Sequence, residues 1–155
     1  MKIRKATLKD VSEIVALWKK LMDHHDRFKV CQIFNKRKKN AGRNFSGFVK
    51  KNIRNGLVLV AEDDGKIIAY SINYIKNNIP IFKIEKIGYI SDLFVDERCR
   101  GKGISSEFRK RVIAWFKSKK INNIEIAAYP MNKRALLIYK NWGFDDYRLI
   151  LRKKL

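Results

Sequence analysis

Cysteine is scarce in this chain. The two present, Cys31 and Cys99, form neither a disulfide framework nor a metal-ligand spacing. No apolar run approaches the roughly 20 residues that cross a bilayer. Met1-Lys2-Ile3-Arg4-Lys5 lacks the apolar stretch of a signal peptide. These absences argue against a membrane protein and against a metal site, and they make a reducing cytoplasm the simplest location. Acidic residues are also few: 15 stand against 36 Lys and Arg, giving a formal charge of +21. No repeat or linker divides the 155 residues, so residues 1–155 are expected to form a single domain.

The basic residues cluster at Lys36-Arg37-Lys38-Lys39, Arg109-Lys110-Arg111, Lys117 to Lys120 and Arg152-Lys153-Lys154. Such a field attracts polyanions and raises their on-rates. Two readings stay open. One is electrostatic association with nucleic acid or the ribosome. The other is a solvated surface in a chain rich in Lys, Ile and Asn throughout. No aromatic-interleaved RNA motif accompanies the charge.

The order of elements follows from hydrophobic periodicity. Lys2 to Ala6 reads as a first strand. Thr7 caps a helix, with Asp10 supporting its first turn and Val11, Ile14, Val15, Leu17, Trp18 and Leu21 at helical spacing. Asp26 to Asn44 has weak periodicity, and either a helix with a long loop or a lid fits it. Phe45 to Asn55 reads as a helix stopped by Gly56. Leu57 to Ala61 and Ile67 to Tyr74 read as strands joined by the turn Asp63-Asp64-Gly65-Lys66. Phe82 to Val95 reads as a long strand, Ile104 to Ser118 as an amphipathic helix, and Ile124 to Tyr129 as a strand closed by Pro130. Asn132 caps a short helix carrying Ala135, Leu136, Ile138, Tyr139 and Trp142, which Gly143 stops. Asp145 to Leu155 is strand-like. This order predicts an α+β (mixed α/β) fold, a mixed sheet with helices on both faces.

The segment Arg98-Cys99-Arg100-Gly101-Lys102-Gly103 joins a strand to a helix N-terminus. Free backbone N–H groups of a first helical turn, the helix dipole and Cβ-free glycines together suit a phosphate. The loop lacks the Gly-Lys-Ser/Thr of a Walker loop, and it is not G-x-G-x-x-G with a distal acid.

Three blocks taken together resemble the GCN5-related N-acetyltransferases. Arg98-x-x-Gly101-x-Gly103 is similar to their acyl-CoA signature, Ile3-Arg4-x-Ala6-Thr7-x-x-Asp10 to their opening, and Asn132-x-x-Ala135-x-x-x-Tyr139-x-x-x-Gly143-Phe144 to their closing helix. Ile90-Ser91-Asp92-Leu93-Phe94-Val95 is similar to the diamine and polyamine branch. The resemblance implies a mostly antiparallel mixed sheet of six to seven strands, splayed at the acetyl-CoA site.

It further implies roles for particular residues. The pantetheine arm would lie between Leu93-Phe94-Val95 and the next strand. The pyrophosphate would sit on amides from Arg100 through Gly101, Lys102, Gly103, Ile104 and Ser105 to Ser106. Arg98, Arg100 and Lys102 would add charge-assisted contacts. Asn132 would bond the cofactor, cap its helix, or do both. Tyr139 matches the general acid that protonates the leaving thiolate, and it also lines the cofactor. A backbone N–H near Leu93 would meet the developing oxyanion. The base is not marked: where the polyamine branch has a glutamate this chain has Ser91, and where ribosomal-protein N-terminal acetyltransferases have one it has Ala127. Glu85 and Asp92 are the candidate bases, with Glu125 a third.

The resemblance also implies a primary amine as acceptor, on a small molecule such as a polyamine or on a protein or peptide. Asp23, Asp26, Glu62 or Asp92 could line a cleft that draws in a cation against the global field. His24 and His25, adjacent on a helix, cannot face one way, so no metal is expected; one of them lining the acceptor pocket is a lesser alternative to a plain surface role. A homodimer is common in the family that the chain resembles. A basic module of the same fold that binds nucleic acid without catalysis is the alternative.

Overall fold

A computed structural model describes residues 1–35 and 37–155 of the chain. Lys36, one member of the first basic cluster, lies outside the described residues. Five strands form one sheet in the order β1 (Lys2–Lys5), β2 (Leu57–Asp63), β3 (Lys66–Asn77), β4 (Lys86–Val95) and β5 (Ile124–Ile126). The first four pair antiparallel, and β5 pairs parallel to β4. The helices are α1 (Val11–Asp26), α2 (Lys29–Phe34), α3 (Ala41–Asn55), α4 (Ile104–Ser118) and α5 (Lys133–Asn141). None of them is long and apolar enough to cross a membrane among the described residues.

The core is two-sided because strand residues alternate across the sheet. On one face, Val58, Val60, Tyr70, Ile72 and Phe94 pack against Ile14 and Leu17 of α1 and Val49 of α3, and Trp18 stacks on Phe45 at 4.5 Å. On the other face, Leu59, Ala61, Ala69 and Ile90 pack against Ile104, Phe108, Val112 and Phe116 of α4. Gly88 of β4 sits so close to the fully buried Phe116 ring that a Cβ would lie 2.6 Å from it. The entry into α1 is fixed by Asp10. Its carboxylate accepts from the Thr7 N–H at 2.6 Å and takes both ends of the Arg4 guanidinium at 2.8 Å. Those partners hold the buried Asp10 carboxyl down at about 2, with the Arg4 hydrogen bonds the largest cause.

Four expectations are corrected. Among the described residues the sheet has five strands rather than six to seven. Residues 145–155 are not a strand, and Tyr147, Leu149, Ile150, Leu151 and Leu155 stand exposed. Their sequence is strand-like, yet β5 is only three residues long and no ladder reaches them. The strand expected from Phe82 starts at Lys86, because Asn78 closes a turn by donating to the Glu85 and Ile84 carbonyls. Finally, α3 begins at Ala41 rather than Phe45, while α2 is the helix that the weakly periodic stretch allowed.

Candidate active site

A cavity of about 2120 Å³ opens where β4 and β5 part. Their ladder runs from Gly88 paired with Ile124 to Ile90 paired with Ile126 and stops there. Beyond it, Leu93, Phe94 and Val95 form one wall and residues 127–130 the other.

A β-bulge shapes this opening. Ile72 pairs with Asp92 and Asn73 with Ile90, so Ser91 is the extra residue on β4. The insertion switches the faces of the strand. Ile90 enters the core beneath α4, whereas Phe94, of the same parity, enters the opposite core. It also switches the amides. The Gly88 N–H points towards β5, bonding the Asn123 carbonyl at 2.9 Å, while the Asp96 N–H points towards β3, bonding Ile68 at 2.9 Å. Alternation back from Asp96 therefore turns the Leu93 and Val95 N–H groups into the opening.

The basic loop lies at one end of the cavity. Gly101 and Gly103 adopt φ of 82° and 75°, a left-handed backbone natural to glycine, and no atom lies within 4 Å of where their Cβ would be. The N–H groups of residues 101–106 donate no hydrogen bond among the described residues. The first satisfied amide is that of Glu107, which bonds the Gly103 carbonyl at 3.1 Å. Six adjacent free donors at a 15-residue helix N-terminus form an anion cradle. Arg100 lines it, braced by the Val95 carbonyl at 3.2 Å and by Glu97 at 3.5 Å. Arg98 and Lys102, expected to add charge here, do not line the cavity.

Two titratable side chains from different elements meet the opening. Asp92 lines the cavity and accepts a hydrogen bond from the Ser91 hydroxyl at 2.8 Å. The buried Tyr70 hydroxyl stands next to Asp92, short of a well-formed bond. Burial raises the Asp92 carboxyl above its usual value, and the two hydroxyls oppose that only in part. Tyr139 of α5 lines the same space, packed on Trp142 at 5.7 Å and Phe144 at 6.3 Å. Burial, and then the negative charge of Asp92, pushes its phenol up to about 12, so it is protonated at neutral pH. Asn132 Oδ1 caps α5 by accepting from the Ala135 N–H at 3.2 Å, leaving Nδ2 as a donor on the cavity wall.

The structure separates the candidate bases. Glu85 is exposed in the turn before β4 and does not line the cavity. Glu125 lines it but is paired with Lys76 at 2.6 Å. Asp23 and Asp26 are tied to Arg37, and Glu62 to Arg4. Of these candidates Asp92 is the one that lines the cavity with no cationic partner among the described residues. Both His24 and His25 line the cavity, because the opening wraps the end of α1. Burial lowers the pKa of each. The sequence reading missed Phe28, Phe34, Asn35, Lys76, Tyr89 and Tyr129, which also line the cavity. Nothing in their spacing marks them, since four elements far apart in the chain bring them together. Among the described residues no group of three His, Cys, Asp or Glu side chains could hold a metal ion.

The site therefore joins an anion cradle at a strand–loop–helix junction to a splayed parallel pair, with Asp92 and Tyr139 both lining the space between. The sequence profile of the acetyltransferase (GNAT) family matches residues 18–144, and the chain belongs to that family. It is 28% identical over 153 residues to an uncharacterized N-acetyltransferase of Methanocaldococcus jannaschii. That match takes in 96% of this chain and 62% of the relative, so the chain spans less than two thirds of the relative's length. A mutant form of a Bacillus halodurans protein is similar in structure, with a TM-score of 0.82, 30% identity and full coverage of both chains. A predicted acetyltransferase of Clostridium acetobutylicum, solved with acetyl-CoA, superposes with a TM-score of 0.78 at 22% identity, covering 99% of this chain and 95% of that one. The similarity to the polyamine branch in particular gains no support from these relatives.

Proposed function

We propose that the chain is an acetyl-CoA-dependent N-acetyltransferase that moves the acetyl group directly to a primary amine. The observation that carries this reading is the run of six free N–H groups from Gly101 to Ser106 beside the opening between β4 and β5. Those amides, with Arg100, would hold the pyrophosphate, and the vacant space over Gly101 and Gly103 admits its close approach. Leu93, Phe94 and Val95 would line the pantetheine arm, with the Leu93 and Val95 amides as its backbone partners and Asn132 Nδ2 as a further donor. Arg98 and Lys102 contribute charge from outside the cavity.

Bound acetyl-CoA supplies an activated thioester whose carbonyl accepts the amine. The chain provides the proton movements around it. Asp92 is the base: burial strengthens its hold on a proton, and the Ser91 hydroxyl bonds its carboxylate. Glu85 has no such access. Tyr139 is the acid: its phenol stays protonated at neutral pH and can give that proton to sulfur. The Leu93 N–H meets the negative charge developing on the carbonyl oxygen.

Release of free thiol that requires both acetyl-CoA and an amine, assayed over amino acids, polyamines, aromatic amines, aminoglycosides and peptides, tests the reading. Amine-dependent release, with acetylated amine identified by mass, is the expected outcome. Thiol release no faster than thioester hydrolysis with every amine would overturn it.

A further inference from the structure

We infer that the protein also binds single-stranded nucleic acid, at a second cavity where the C-terminal ends of α3 and α4 meet the end of β1. An unpaired base would sit against Trp115. The neighbouring phosphates would lie on Lys5, Arg54, Lys119 and the outer face of α3. This surface is apart from the proposed acetyl-transfer site and does not rest on that reading.

The first support is the cavity itself. It measures about 320 Å³, and Lys5, Arg54, Trp115 and Lys119 line it with no carboxylate among the lining residues. Ligand pockets run from roughly 300 to 1,000 Å³, so this one suits a single nucleotide unit. Both α3 and α4 end here, and each helix dipole brings about half a negative charge. Three full cations outweigh that. Trp115 is half-buried, and its ring is held on the fully buried Phe116 at 4.9 Å. An aromatic face beside cations takes a base and its phosphate together. Bases in a duplex are already stacked on one another, so the ring selects an unpaired strand.

The second support is where the acids are missing. Residues 27–61 and 108–124 contain no Asp or Glu, and these two segments supply all of the cavity lining except Lys5 and Ala6. Along α3, Arg43, Lys50 and Arg54 stand at i, i+7 and i+11. They form one exposed row opposite the buried Val49. The row covers about 16 Å and ends at the cavity, where Arg54 enters the lining. Among the described residues Lys5, Arg43, Lys50, Arg54 and Lys119 form no ion pair. A solvated helix face ordinarily mixes both signs, as Glu107 and Arg111 do on α4 at 2.7 Å. A row left unopposed attracts a polyanion. The acetyl-CoA cradle is at the other end of α4, which Gly103 starts and Lys119 ends, about 24 Å away along the helix.

Fluorescence anisotropy with labelled oligo-U and oligo-dT of about 12 nucleotides tests this. A duplex of the same length and inorganic polyphosphate serve as competitors. The expected result is saturable binding with a log–log salt slope near −3, from about −0.7 for each of four phosphates, together with quenching of tryptophan emission. Lys50→Glu with Arg54→Glu should weaken binding at least tenfold. Lys153→Glu with Lys154→Glu, the same change of net charge at exposed positions, should leave it within twofold. Trp115→Leu should remove the quenching and weaken binding about tenfold. The exposed charge reversals carry the test even where Trp115→Leu folds poorly. Tighter binding of oligo-U or of oligo-dT tells whether the strand is RNA or DNA. No binding at physiological salt, equal losses in the two charge-reversal variants, or equal competition by polyphosphate or duplex would overturn the inference. Acetyl-CoA affinity, read by calorimetry, should stay within twofold in every variant. A matching loss there would place the row in the other site and overturn it too.

Discussion

Replacing Tyr139 by Phe is expected to lower kcat about 10²- to 10³-fold with any accepted amine and to leave the dissociation constant of acetyl-CoA within about twofold of wild type. The substitution removes one oxygen. The ring still packs on Trp142 and Phe144, so the wall of the cavity persists. What is lost is a proton that the site retains at neutral pH, because burial and Asp92 push the phenol up to about 12. A thiolate leaving without that proton must depart as the free anion, and the step slows. Steady-state turnover measured with calorimetric binding on the same preparation separates the outcomes. An unchanged kcat removes Tyr139 from the acid role. A loss of affinity equal to the loss of rate makes it a binding residue.

Asp92→Asn is expected to have effects of opposite sign on rate and stability. Turnover falls about 10²- to 10³-fold, since amide nitrogen cannot accept the amine's proton. Stability rises at neutral pH. Burial raises the folded pKa of Asp92 above the ordinary value of 3.8. Below that value the folded and unfolded chains are protonated alike, so the group adds no penalty. As pH rises, the unfolded chain ionises first, and the native state is disfavoured until the folded group also ionises. A neutral Asn escapes this penalty. Its melting temperature is therefore above that of wild type at pH 7, with the gap closing below about pH 4. Thermal unfolding across pH, with turnover on the same samples, checks both halves. A variant less stable than wild type at pH 7 would show that the carboxylate is a structural anchor. This trade of stability for function is the usual signature of a working acid or base.

The base also marks where the sequence stops being legible. The features of the proposed donor side are written locally. The loop from Arg98 to Gly103 and the helix carrying Asn132 and Tyr139 show in short spacings, because a glycine turn, a helix cap and a helix face are each fixed by a few neighbouring residues. The acceptor side depends on pairings that no local pattern encodes. The bulge at Ser91 has no glycine or proline to announce it, yet it alone turns the strand so that Ile90 and Phe94 enter opposite cores and Asp92 reaches the cavity. Glu85 and Asp92 therefore looked equivalent along the chain and differ completely in space. Arg98 and Lys102 share the charge of Arg100 and lie in the same loop, but only Arg100 enters the cavity, since its side chain is braced by the Val95 carbonyl and Glu97. The same reasoning covers the C-terminal segment. Its alternation suits a strand, but a strand exists only where a partner edge of sufficient length is present, and β5 offers three residues.

The central claim is that the Gly101–Ser106 amides and the opening between β4 and β5 hold acetyl-CoA. Calorimetric titration of acetyl-CoA into the wild-type chain and into Gly103→Val tests it most directly. A β-branched side chain at φ 75° strains the loop and fills the open space above it, while most of the fold lies elsewhere. The account predicts saturable one-to-one binding to wild type and at least a tenfold weaker response in a variant that still unfolds cooperatively. Equal affinity in the two proteins, or no binding to wild type at millimolar acetyl-CoA, would contradict it.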